Sequence, residues 1–353
     1  MFVPHTFGLA LAMTVLSTIC WGSFANTMKF TGTYRFELYY WDYAVGIVLI
    51  SLVLAFTMGS ASGGETAFLA NLRSAAPANL LWAAVAGFIF NVANFLLIAG
   101  IGLVGLAVAY PIAIGIALVE GVVLSYAIQP KGSAVLLGAG VAMAVLAVIL
   151  IGKAYGQLAA PDTGRTEHDS SDVPPAGSGR AASATSPGRA AGRKGVVVCL
   201  VSGVLMGVWA PFVTRAMTAA RPLTPYTVAV LFTLGALACC YVFNTALMRR
   251  PLAGTPVDFS GYRTAPAAYH LLGLAGGIVW GVGTVFNLVA ASLVGVAISY
   301  AIGQASPMVA ALWGVFAWRE FRGSPARAKV YLAGMFASYL LALLLIARAY
   351  RAG

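Results

Sequence analysis

Apolar residues in this chain do not alternate with polar ones; they run in blocks of about twenty, separated by short polar breaks. A helix crossing about 30 Å of hydrocarbon needs about 20 apolar residues, at 1.5 Å each. By that rule the pattern predicts ten membrane spans, at residues 7–27, 39–59, 79–99, 102–128, 133–155, 195–217, 226–248, 268–290, 293–318 and 327–350. Two breaks are very short, near Gly100 to Gly102 and near Ser292. Another is long: residues 157–194 are dominated by Pro, Gly, Ser, Ala and charge, with no apolar periodicity. Such a segment cannot bury enough surface to fold alone, and it is expected to be a disordered linker. It contains no GxxxxGK[ST], so nothing in it indicates a phosphate-binding loop. The residues before the first block, Met1 to Thr6, carry no Lys or Arg, so that block is expected to be a retained span and not a signal peptide.

The linker divides the chain into residues 1–156 and 195–353, with five spans each, and the halves resemble one another. A shift of 190 positions aligns Leu103-Val104-Gly105 with Leu293-Val294-Gly295, Gly87 with Gly277, Ala107 with Ala297, Tyr110 with Tyr300 and Ile112 with Ile302. A shift of 188 aligns Trp21 with Trp209 and Phe24 with Phe212. An odd number of spans per repeat turns the second repeat over in the membrane. The expected fold is therefore an all-α polytopic membrane protein: ten transmembrane helices as two inverted five-helix repeats, a recurrent plan of secondary transporters.

Composition narrows the class. Sixty per cent of the 353 residues are hydrophobic and 9% are charged, against about 25% charged in soluble chains. That excludes a soluble enzyme, a disordered protein and a nucleic-acid-binding domain. The net charge of +11 is read as loop Lys and Arg facing an anionic cytoplasmic leaflet. With the N-terminus outside, fifteen basic residues fall on the cytoplasmic side and six on the other, which places both termini outside and the linker in the cytoplasm. Cys20, Cys199, Cys239 and Cys240 lie in apolar segments and are read as packing residues. No metal or cofactor site is expected.

Polar groups inside hydrocarbon are costly, so each is a candidate. Of ten acidic residues, Glu120 alone is expected deep within a span, about 15 Å from the helix end at Pro130. A carboxylate there either couples transport to a proton or contacts substrate, or it is a structural hydrogen-bonded group. Asp42 is expected to be an interfacial anchor or a partner of Arg35. Asn91 and Asn94 share one face of span 3; their counterparts in span 8 are Gly281 and Thr284, with Asn287 one further turn along. Amides and hydroxyls suit a neutral solute rich in hydrogen-bonding groups, and they also tie helices together. Spans 4 and 9 are rich in Ala and Gly and are expected to be interrupted by Pro111 and Pro307, near Tyr110, Tyr300 and Gln304. Trp21 and Trp209, at matched places, are candidates for stacking on a ligand face, whereas Trp280, Trp313 and Trp318 read as packing or anchor residues. No histidine pair with catalytic spacing is found.

On these motifs the chain resembles the drug/metabolite transporter superfamily. Ser306 to Tyr331 (SPMVAALWGVFAWREFRGSPARAKVY) is similar to a stretch of plant ureide permeases and of bacterial glucose/ribose porters. GVLMGVWAPF (Gly203 to Phe212), YYWDY (Tyr39 to Tyr43) and GFIFNVANF (Gly87 to Phe95) fit the same group, with the rhamnose–proton symporter more distant. The porters often have Gly before the Glu of span 9, where this chain has Arg319-Glu320; the ureide permeases carry a nucleotide-binding motif in their central loop that is absent here. The resemblance implies alternating access around a cavity lined by spans 1, 3, 4, 6, 8 and 9. The expected function is uptake of a small neutral polar solute, a sugar first, coupled to H+ or Na+, across the plasma membrane. A ureide or nucleobase permease and a metabolite or drug exporter are the alternatives.

Overall fold

The computed structural model describes residues 1–61, 63–158, 189–252 and 255–351, and every regular element among them is helical. Ten helices are long and apolar enough to cross a membrane. Spans 1 to 5 are Phe7–Lys29, Phe36–Phe56, Pro77–Val104, Val108–Ile128 and Ala134–Leu158. Spans 6 to 10 are Gly192–Thr218, Pro225–Arg249, Ala267–Val294, Val296–Ala317 and Ala326–Arg351. The expected set is present, with shifted ends. Span 2 starts three residues earlier than its hydropathy indicates, so Asp42 lies in its second turn. Glu37 and Asp42 lie in the first two turns of that span, whereas Glu120 lies well inside the span 4 helix. Gln157 and Leu158 continue the span 5 helix, and the helix of span 6 already begins at Arg189. The expected linker is shorter at both ends, and its remainder, 159–188, lies outside the described residues.

Local signals set several boundaries. Pro77 and Pro225 occupy first-turn positions of spans 3 and 7, where a missing N–H costs nothing. Thr6 and Thr224 cap spans 1 and 7 with their side-chain oxygens. Spans 3 and 8 end at Gly105 and Gly295, whose φ angles of 78° and 84° suit only glycine. These matched turns lead at once into spans 4 and 9.

There the halves diverge. Pro111 was expected to interrupt span 4, but it lies within an unbroken helix, Leu106–Ile128. Its position near the helix start leaves few backbone bonds to lose. Span 9 does break: one helix, Val296–Gly303, ends at Gln304, and a second, Ser306–Leu312, starts with Pro307 in its first turn. A π-helical turn, Trp313–Ala317, closes the span, and another, Cys240–Asn244, lies in span 7.

Glycines set the closest crossings. A Cβ on Gly87 would strike the backbone of Phe232, and one on Gly235 the backbone of Ala84, so spans 3 and 7 meet backbone to backbone. Gly277 meets Tyr43 and Gly46 meets Leu274 in the same way, joining spans 2 and 8. The four residues of one crossing map onto the four of the other by shifts of 189 or 190 positions. Spans 3 and 4 pack on span 6, span 1 packs on spans 8 and 9, and span 5 packs on span 10. All four cysteines are free.

Candidate functional site

Six spans send aromatic rings to one place. Trp280 stacks on Phe90 (centroids 5.4 Å, interplanar angle 28°), Phe232 (6.4 Å, 20°) and Trp21 (6.1 Å, 22°). Trp209 sets its edge against Phe90 at 5.6 Å, Phe232 at 5.3 Å and Tyr300 at 5.3 Å. Such pairs favour offset or edge-on geometry because the ring faces are negative and the edges positive. Spans 3 and 8 meet here through Phe90 and Trp280, not through their amides.

Most polar groups around these rings are already paired. Trp21 Nε1 donates to Thr284 Oγ1 at 3.1 Å, and Thr284 donates onward to the Trp280 carbonyl at 3.0 Å. Asn287 Nδ2 donates to the Ser299 carbonyl at 2.9 Å, tying span 8 to span 9. Trp209 is the exception: it is 4% exposed, and its Nε1–H stands near the Tyr300 hydroxyl but makes no well-formed hydrogen bond among the described residues. Next to it, the Tyr300 hydroxyl donates to the Ala117 carbonyl at 3.3 Å, and its ring lies against Gly121. Between Ala117 and Gly121 stands Glu120, half-buried and in none of the ion pairs found among the described residues. Its carboxylate lies across Gly207 of span 6, where a Cβ would come within 2.8 Å of Oε2. A stranded donor and an unpaired acceptor thus flank Tyr300.

Asn91 belongs elsewhere. It is 1% exposed and points to spans 2 and 7, accepting from the Tyr40 hydroxyl and donating to the Ala236 carbonyl at 2.8 Å and to Cys240 Sγ at 3.2 Å. Tyr110 lies beside Tyr155 and Tyr339, about 15 Å along span 4 from Glu120. Asn94 and Gln304 are half-buried. Of the ten candidates, the structure groups Glu120, Trp21, Trp209, Thr284, Asn287 and Tyr300 around the aromatic cluster and separates Asn91 and Tyr110 from it. Trp280, expected to be a packing or anchor residue, packs at the centre of the cluster against three rings. Its mid-span position was the available signal.

One end of the bundle is held by charges. Lys29 forms an ion pair with Glu320, which also accepts from the Tyr155 hydroxyl at 3.2 Å. Lys29 lies over the Trp318 ring, and Trp318 Nε1 donates to Asn26 Oδ1 at 2.6 Å. At the same end Asp42 accepts from Tyr262 at 2.7 Å and pairs with His270 Nδ1 at 2.7 Å. The expected Asp42–Arg35 pair does not form, because Arg35 pairs with Glu37, two residues away. Burial, then the bond to Asp42, push the Tyr262 phenol up, so it stays a donor.

With this geometry in place, likeness to known proteins adds the class. Residues 193–348, most of the second half, match the family model "Ureide permease". That family transports solutes. The match and the ten apolar helices point to a multi-pass membrane transporter of small solutes, not to an enzyme. No curated protein matches the chain. A solved structure described only as "Crystal structure of protein" aligns over 97% of this chain and 98% of its own, with a TM-score of 0.58 and 18% identity, which indicates a common fold alone.

Proposed function

We propose that the chain is an alternating-access permease for a small, planar, amide-bearing solute of the ureide or nucleobase kind, bound where Glu120, Trp209 and Tyr300 meet. The observation that carries this is that Tyr300 stands between Trp209, whose Nε1–H makes no well-formed hydrogen bond, and Glu120, which is in no ion pair among the described residues. A buried donor without a partner costs roughly 1–3 kcal/mol. A solute carbonyl removes that cost, and a solute N–H is a natural partner for Glu120. A ureide presents both groups in one plane, and the rings of Phe90 and Phe232 lie against Trp209 where that plane would enter. The ureide permease match to the second half supports this class ahead of a sugar. In this reading the halves are inverted repeats, and Glu120 carries the coupling proton as the site changes sides.

The test is uptake by the purified chain in proteoliposomes, with labelled ureides, nucleobases and hexoses compared under an imposed proton gradient. Saturable uptake of ureide or nucleobase, with at least tenfold weaker hexose uptake, is the expected result. Uptake of hexose alone overturns the solute class, and accumulation indifferent to every ion gradient overturns the coupling.

A further inference from the structure

A concavity lies where span 9 hands over to span 10, lined by none of the rings of the aromatic cluster. Its volume is about 390 Å³; Val315, Phe321 and Leu332 form its floor, and Arg319, Arg322 and Lys329 form its rim. The three cations are exposed and take part in none of the ion pairs among the described residues. The nearest carboxylate in sequence, Glu320, is turned inward to Lys29 and Tyr155. The turn itself enforces this division. Arg319 holds φ at 54°, a conformation rare outside glycine, and Glu320 N–H donates to the Gly314 carbonyl at 2.9 Å. Three unpaired positive charges around one apolar hollow repel each other unless an anion sits among them.

The surroundings say which anion. Phe316 and Val330, neighbours in sequence of Val315 and Lys329, are 75% and 68% exposed. On helices of a membrane bundle, apolar side chains that project this far face lipid. The hollow therefore opens at the boundary between acyl chains and headgroups, with apolar contacts below and cations above. We propose that it binds the phosphate-bearing headgroup of an anionic lipid, with Arg319, Arg322 and Lys329 on the phosphate and the glycerol region over Phe321 and Leu332. Free phosphate shares the charge chemistry but has no use for the apolar floor.

The experiment is native mass spectrometry of the full chain released from nanodiscs of phosphatidylglycerol or phosphatidylcholine, repeated with inorganic phosphate as competitor. Wild-type protein is expected to retain phosphatidylglycerol over phosphatidylcholine. Arg319→Gln with Arg322→Gln is expected to weaken that retention about 25-fold, from about fivefold per charge removed. Arg263→Gln, an exposed cation at the same end but outside the hollow, is expected to leave it unchanged. If the double variant fails to fold, Lys329→Gln, on the surface of span 10, is expected to lose about fivefold. Equal retention of both lipids, or an equal loss in Arg263→Gln, overturns the site. Displacement of the lipid by millimolar inorganic phosphate overturns the lipid and leaves a simple anion site. None of these readouts depends on which solute is transported.

Discussion

Two sets of polar groups, the buried Asn91 on one side and the half-buried Glu120 with the buried Trp209 on the other, sit in the same bundle and meet opposite fates. Asn91 uses both its oxygen and its amide hydrogens on protein partners from spans 2 and 7. Trp209 uses none of its donor capacity, and Glu120 is in no ion pair among the described residues. Asn91 and Glu120 are candidates from sequence on the same ground, cost inside hydrocarbon, and Trp209 by its placement matching Trp21. The difference teaches that cost alone does not identify a site. A polar group whose bonds are all used holds helices together, and one whose bonds are open is available to a ligand.

Variants can break this contrast. Glu120→Gln has the largest expected effect: gradient-driven accumulation in proteoliposomes falls to equilibration, while solute exchange persists. Accumulation retained at wild-type level would mean that Glu120 carries no proton. Asn91→Ala comes next. Three interhelical bonds at about 0.6 kcal/mol each give a loss of about 2 kcal/mol in unfolding free energy, with transport per folded molecule unchanged. A large rise in KM without loss of stability would return Asn91 to the binding site. Trp209→Phe removes one donor, worth about 1 kcal/mol, and is expected to raise KM about fivefold. Because Nε1 makes no well-formed bond among the described residues, the melting temperature should hold or rise; a marked fall would expose a structural bond to Tyr300. Smallest of all, Tyr110→Phe is expected to change KM less than twofold, since Tyr110 stands apart from the aromatic cluster.

The fold was legible because the ten spans are each long and apolar enough to be read one at a time. The starts of spans 3 and 7 are set by Pro77, Pro225 and Thr224, local signals that a hydropathy window passes over. The site was legible in part. Glu120, Trp209 and Tyr300 stood out as polar or aromatic groups in apolar helices, and Trp21 and Trp209 stood out by their matched spacing. What stayed hidden was partnership. The Lys29–Glu320 pair joins residues far apart in the chain, and neither residue's surroundings in sequence point to the other. Asp42 bonding His270 and not Arg35 is a fact of packing between spans 2 and 8, which hydropathy does not encode. Pro111 misled for a different reason. A proline interrupts a helix only where there are backbone bonds upstream to lose, and the start of span 4 has few.

The glycine crossings constrain how this molecule can move. Where Gly46 and Gly277 bring spans 2 and 8 together, and Gly87 and Gly235 bring spans 3 and 7 together, no layer of side chains separates the backbones. Side chains can slide over one another like ball bearings, whereas bare backbones lock. Each locked pair takes one helix from each half of the chain. A cycle that swung the first half as one block against the second would have to unzip both crossings. If the proposed transport cycle moves rigid parts, those parts are expected not to be the two halves in sequence, because each crossing joins a helix of one half to a helix of the other.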